Sequence, residues 1–407
     1  MNIKERFFSY IKIATTSDEE SGLHPSAKWE FDLANKLADE LKEIGLDEVE
    51  LDDKCYIYAH LKATPGYEGR KSIGFISHMD TAPDFNGENV NPQVHENYDG
   101  KAIKLGDTDR VLSPDEFSDL LTLKGKTLIT TDGTSLLGAD DKAGVAEIMT
   151  LVEDIITKNI PHCDLWVCFT PDEEIGEGAL NFSRDKFKAD YAYTVDGDYE
   201  GEVAYENFNA GSAEFEVYGK NVHPGEAKNI MINAASIGCE IQNMIPSHCT
   251  PEHTEGREGF IHLTDISGTT EYAKLSYIVR DHDADKFTEK NDFLKSIESF
   301  MNNKYGEGVV KLKLKDSYRN MYEVVAKDMT PVDVAKKAIE ECDLECVSTP
   351  IRGGTDGAHI SFMGLPCPNL GTGGHAFHGP YEHIALESME KVVEVLHKIV
   401  SIYSEEI

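Results

Sequence analysis

Three short apolar runs, "SIGFISH" (72–78), "DLWVCFT" (164–170) and "YAYTVD" (191–196), each end at or just before an acidic residue or a histidine. Runs of this length, rich in aromatic and β-branched residues, read as strands buried on both faces. Between the first two lies "DDKAGVAEIMTLVEDIIT" (140–157), a helix with acids in its first turn, where the dipole favours them. Phe31, Leu33, Leu37, Leu41 and Ile44 recur at helical spacing and stop at Gly45. Strands and helices in alternation argue for an α/β core with a largely parallel central sheet.

From about Gly211 the texture changes. "SAEFEVYG", "FIHLTDISG" and "EYAKLSYIVRD" alternate in strand fashion, with helices predicted over 230–245 and 284–303. The α/β texture returns with a helix near 331–341, the loop "RGGTDGAH" and a closing helix at 388–404. The expected organisation is one α/β domain, residues 1–208 and 322–407, interrupted by a smaller α+β domain at 209–321.

The acids and histidines gather in four clusters at or just beyond predicted strand ends: "SHMD" (His78, Asp80), "GADD" (Asp140, Asp141), "PDEE" (Glu173, Glu174) and "VDGD" (Asp196, Asp198). That edge is where open α/β sheets bind ligands. Carboxylates converging there without neutralisation are strongly destabilising, and metal ions supply the missing charge. Imidazole with carboxylate is a normal zinc set. "GTGGHAFHGPYEH" (371–383) offers His375, His378 and His383 as further ligands in a glycine-rich loop.

Composition narrows the partners. The chain carries 74 acidic against 39 basic residues, a formal charge of −35, and that field repels phosphate backbones, so nucleic acid is not an expected partner. The first 20 residues are charged early and lack an apolar signal core, and no run reaches the roughly 20 apolar residues of a membrane span. Eight scattered cysteines without a Cys-x-x-Cys pair suit a reducing cytoplasm.

These motifs resemble the peptidase T family, the tripeptide aminopeptidases among the two-zinc exopeptidases that also include glutamate carboxypeptidases, aminoacylases and succinyl-diaminopimelate desuccinylases. The likeness runs the length of the chain, through "SHMDTAPDFNGENVNPQ", "LLGADDKAGVAEIM", "FTPDEEIGEG", "TVDGDYEGEVAYENFNA", "VHPGEAKNIMINA", "RGGTDGA" and "FHGPYE". It implies that His78, Asp140 and Asp196 hold one zinc and Asp140, Glu174 and His378 the other, with Asp140 bridging. Cobalt or manganese would satisfy the same ligand types. It further implies that Asp80 orients the His78 ring, that the Asp140–Asp141 peptide is cis, and that the inserted domain is a lid. Glu174 then turns to the metal while Glu173 stays unligated as the general base, which explains two glutamates side by side.

At the substrate ends, the resemblance makes His223, in "GKNVHPGEAKN", an oxyanion donor to the scissile carbonyl. In some relatives this histidine comes from the partner subunit of a homodimer, in others from the same chain. The carboxylate of a peptide calls for a guanidinium, and Arg280 and Arg352 are the candidates, Arg280 being favoured; either could instead pair locally with Asp281 or Asp356. The long acidic loop "DFNGENVNPQVHENYDG" (84–100) is expected to close one end of the pocket. The main alternative is a two-zinc deacylase of N-acyl amino acids. A two-metal phosphoesterase is disfavoured by the scarcity of Lys and Arg beside the motifs, and a non-catalytic binding protein by the retention of the whole ligand set.

Overall fold

The computed structural model describes residues 1–405 and 407, which form two compact units. Unit one comprises Met1–Tyr205, Glu323–Thr349 and Thr355–Ile407, and unit two Glu206–Tyr322 with Pro350–Gly354. The stretch Pro350–Gly354, expected within the first domain, groups with the second unit. The reason is local: Arg352 donates to the carbonyls of Gly256 and Glu258 and lies over the Phe208 and Phe260 rings.

A seven-stranded sheet organises unit one, in the order Glu48–Leu51, Ile57–Leu61, Leu165–Thr170, Ile73–His78, Tyr191–Gly197, Asn369–Gly371, Val203–Ala204. The four strands from Leu165–Thr170 to Asn369–Gly371 pair in parallel, and each of the three outer strands pairs antiparallel with its inner neighbour. The sheet is therefore mixed, with the expected parallel part at its centre. All six residues of Ile73–His78 are buried, as a strand covered on both faces requires.

Alternation along the strands feeds two apolar clusters. Ile57, Ala59, Phe75, Val167 and Phe169 pack with Leu37, Leu41, Ile148, Val152 and Leu396 of the helices Glu30–Ile44, Ala139–Lys158 and Leu386–Glu405. Tyr56, Tyr58, Ile76 and Cys168 face the other way, onto Phe182, Phe187 and Ile360. Gly74 admits this second layer, because a Cβ there would collide with the Phe187 ring.

The segment between Ile73–His78 and Ala139–Lys158, together with residues 374–385, builds a satellite that the sequence does not announce. Strands Gly374–His375, His383–Ala385, Leu128–Thr130 and Gln93–His95 form a small antiparallel sheet. Tyr98, Leu105, Leu112, Leu120, Leu123 and Leu128 give it a core of its own. The segment 84–100, expected as a loop, thus contributes a strand.

Unit two is a four-stranded antiparallel sheet, in the order Phe260–Gly268, Tyr272–Asp281, Asn209–Tyr218, Val310–Tyr318. Helices Ala234–Met244 and Ala284–Tyr305 pack Ile237, Ile241, Leu294 and Ile297 against Phe215, Val217, Leu275 and Tyr277. Both helices start at side-chain caps, Asn233 and Asp283. Glu214 pairs with Lys274 and Lys313, and Glu216 with Lys313, on these strands.

Candidate metal centre

Apolar strand interiors confine polar side chains to strand ends. His78 is the last residue of Ile73–His78 and pairs with Thr170, the last of Leu165–Thr170. Asp172 then turns the chain with a left-handed φ of 57°, and Glu173 and Glu174 open a single turn of 3-10 helix. Asp196 is the penultimate residue of Tyr191–Gly197. All of them emerge at the carboxyl edge of the parallel strands.

Asp140 ties these groups together. Its Oδ1 lies 2.9 Å from Nε2 of His78 and its Oδ2 3.2 Å from Nε2 of His378. The same His78 nitrogen stands 3.3 Å from Oδ1 of Asp196, and the same His378 nitrogen 2.9 Å from Oε2 of Glu174. Two donor sets therefore overlap at one carboxylate.

The electrostatics are those of a site short of positive charge. Hydrogen bonds to Asp140 and Glu174 push His378 up to about 11. Burial, followed by the charge of Asp140, pushes Glu174 up to about 8. Burial opposes ionisation of Asp140 too, but His378 and His78 hold its carboxyl below the usual range. Oε1 of Glu174 is buried with no hydrogen-bond partner among the described residues. Imidazoles and carboxylates that retain protons only against one another are groups from which a divalent cation displaces protons. The donor set fits such a cation.

Donor atoms of His78, Asp140 and Glu174 lie within 4.8 Å of one another, and so do those of His78, Asp141 and Asp196. Asp141 is committed elsewhere: its Oδ2 accepts the His78 N–H at 3.2 Å and its Oδ1 the Gly144 N–H at 3.3 Å. Only Asp140 presents both oxygens to imidazoles. The helix expected to begin with these acids does not do so. Asp140 (ψ 105°) and Asp141 (φ −120°, ψ 32°) are non-helical, and the peptide between them is cis, as the resemblance implies.

Asp80 is fully buried beneath the centre. Its carboxylate accepts the N–H groups of Glu173 at 3.0 Å and Glu174 at 3.2 Å, and its Oδ1 is 3.3 Å from Nδ1 of His78. The same ring nitrogen is 3.1 Å from the backbone carbonyl of Asp80, so this residue meets the imidazole through two of its oxygens and the two-glutamate turn through its carboxylate. Glu173 lines a small crevice with His78, Asp196 and Asp356, and burial followed by Asp196 pushes its carboxyl well above the usual range.

Two buried acids escaped the sequence reading. Glu382 accepts the N–H groups of Leu137, Gly138 and Asp140 at 2.6, 2.9 and 3.0 Å. Asp356 accepts the Thr170 hydroxyl at 2.9 Å. Both stand in motifs already singled out, "FHGPYE" and "RGGTDGA", and adjacency to those motifs was the available signal.

The remaining candidates separate. His383 directs Nε2 to Asp119 at 2.6 Å, and Nδ1 of His375 is 4.0 Å from the same carboxylate, so His378 alone of the three loop histidines meets Asp140. His223 sits exposed in a turn of unit two and accepts the Gly225 N–H on Nδ1 at 3.1 Å. Neither arginine uses the local acid offered to it. Asp281 pairs with Lys290, and Asp356 with Thr170. Arg352 spends Nη1 and Nη2 on Thr254, Gly256 and Glu258, whereas Arg280 uses Nη1 alone, on the carbonyls of Gly211 and Val279.

Comparison with known proteins now bears on this geometry. The model of peptidase family M20/M25/M40 matches residues 130–401. Peptidase T of Clostridium perfringens is 54% identical over 404 residues, covering 99% of each chain. Peptidase T of Caldanaerobacter subterraneus is 52% identical over 403 residues, covering 98% of each. Among solved structures, aminopeptidase PepT from Bacillus cereus superposes with a TM-score of 0.77 at 21% identity, over 99% of this chain and 98% of that one. YXEP of Bacillus subtilis, a dinuclear metal-binding peptidase, superposes with a TM-score of 0.66 at 14% identity, over 100% and 99%. Sequence and fold agree: the chain belongs to peptidase family M20/M25/M40, in its peptidase T branch.

Proposed function

We propose that this chain is a tripeptide aminopeptidase in which Glu173 moves the proton between water and the leaving amine. The observation that carries the reading is the placement of Asp140 between His78 and His378, with Glu173 lining the same small crevice as His78 and Asp196. His78, Asp140 and Asp196 would hold one zinc, and Asp140, Glu174 and His378 the other. Two divalent cations so held would supply a water ionised near neutral pH and polarisation of the scissile carbonyl.

The protein's own groups do the rest. Glu173 accepts a proton from the attacking water and returns it to the departing nitrogen. Asp80, through the N–H groups of Glu173 and Glu174, fixes the direction from which that carboxylate acts. His223 acts as oxyanion donor from unit two, which serves as the lid. Arg280 receives the carboxylate of the peptide, a role supported by the donors it leaves uncommitted. A cytoplasmic location is supported by eight cysteines that are all free.

Free and N-acetylated Leu-Gly-Gly separate this reading from the deacylase alternative. The aminopeptidase cleaves only the free peptide. Cleavage of the acetylated peptide at its acetyl group, with the free one untouched, would replace it.

A further inference from the structure

Asp140 owes its unusual backbone to a partner 242 residues away. Glu382 is almost completely buried, and its two carboxylate oxygens divide three backbone donors. Oε2 takes the N–H groups of Leu137 and Gly138, at 2.6 and 2.9 Å, and Oε1 takes that of Asp140, at 3.0 Å. Gly138 is held there in a left-handed conformation, φ 78°, and the residues after it, Asp140 and Asp141, are non-helical. Intrahelical bonding therefore cannot satisfy these N–H groups, and a single carboxylate does.

Glu382 also sits four residues beyond His378, in the segment linking the strands Gly374–His375 and His383–Ala385. The base of that hairpin is fastened independently, since Asp119 takes Nε2 of His383. The adjacent residue, Glu382, fastens that same part of the hairpin to the Asp140 loop.

We propose that Glu382 is a positioning residue for the metal centre: by gripping the 137–140 backbone from the loop that carries His378, it sets the place of the shared carboxylate of Asp140 relative to both imidazoles. The inference rests on the two-metal reading above, yet it concerns a residue that touches neither metal nor substrate. The chemistry is specific to an anion with two acceptor oxygens. In Glu382→Gln one oxygen becomes an NH2 donor, so at least one of the three N–H groups faces another donor. Because Asp140 belongs to both donor sets, loss of its position weakens both sites together rather than one.

The test is calorimetric titration of chelator-stripped protein with Zn²⁺ alone, for the wild type, Glu382→Gln and Glu147→Gln. Glu147 is a buried acid on the same helix, outside the centre, and controls for burying an amide. Glu382→Gln should weaken both zinc equilibria by about 10–100-fold, as loss of partners that orient metal ligands does. Glu147→Gln should match the wild type. An unchanged isotherm for Glu382→Gln, a loss at one site only, or an equal loss in Glu147→Gln would overturn the proposal. Should Glu382→Gln fail to fold by circular dichroism, Glu382→Asp keeps the charge but withdraws it by one methylene. It should show the same two-site weakening, and wild-type affinity there would overturn the idea. A wild-type chain that binds no zinc would instead defeat the metal reading itself.

Discussion

Nε2 of His78 stands 2.9 Å from Oδ1 of Asp140, and the other oxygen of that carboxylate faces His378. A side chain shared in this way cannot be removed from one site alone. Asp140→Ala should therefore retain neither zinc after dialysis, whereas Asp196→Ala should lose one and keep the other. Metal content per chain, by emission spectroscopy, checks both.

Glu173 lines the small crevice beside His78 and Asp196 but belongs to neither donor set. Glu173→Ala should keep both metals and lower kcat by about 10²–10⁴-fold, the usual contribution of a positioned acid–base group. Turnover close to that of the wild type would remove Glu173 from the mechanism.

The two arginines should part company. Arg280 has donors in reserve, and Arg280→Ala should raise KM for tripeptides by roughly 10–100-fold, the equivalent of about 1.5–3 kcal/mol for a charged hydrogen bond. Arg352 is committed to Thr254, Gly256 and Glu258. Arg352→Ala should leave KM nearly unchanged and reduce stability by about 1 kcal/mol, a typical cost for a partly exposed contact. Steady-state kinetics alongside thermal melts separates the two effects.

Glu147 is fully buried, neither of its oxygens has a hydrogen-bond partner among the described residues, and burial followed by the charge of Glu200 raises its carboxyl well above 4.5. The folded chain thus holds this proton more tightly than the unfolded one. The associated stability is complete below pH 4.5 and declines as pH rises toward the folded value. Glu147→Gln removes the titration, so its melting point should gain on the wild type with increasing pH. The difference in unfolding free energy should grow as pH rises above 4.5, by at most about 1.4 kcal/mol per pH unit. A constant difference across that range would mean that Glu147 is ionised in the fold.

Much of this centre was legible because strand ends announce themselves. "SIGFISH" and "YAYTVD" are mostly apolar and end on an ionisable residue, so the placement of His78 and Asp196 follows from strand physics. Asp140 was legible as an acid, and its cis peptide to Asp141 from the family resemblance, but its non-helical backbone was not legible from periodicity. Periodicity over 140–157 reads as helix, while the Asp140 N–H is taken by Glu382, far away in sequence. The satellite sheet was hidden for a related reason. Its strands, among them Gln93–His95 and Gly374–His375, are two or three residues long, too short to show any period, and they exist through pairing between distant segments. The hydrogen bond between His383, at the start of one of those strands, and Asp119 was equally out of reach.

The central claim is cleavage at the amino end of a tripeptide by a two-metal centre. Chromatography of the products from Leu-Gly-Gly, with and without a chelator, tests it most directly. The account predicts Leu and Gly-Gly, abolished by chelation and restored by zinc. Leu-Gly with free Gly would contradict it by making the enzyme a carboxypeptidase, and chelator-resistant release of Leu would contradict the metal centre.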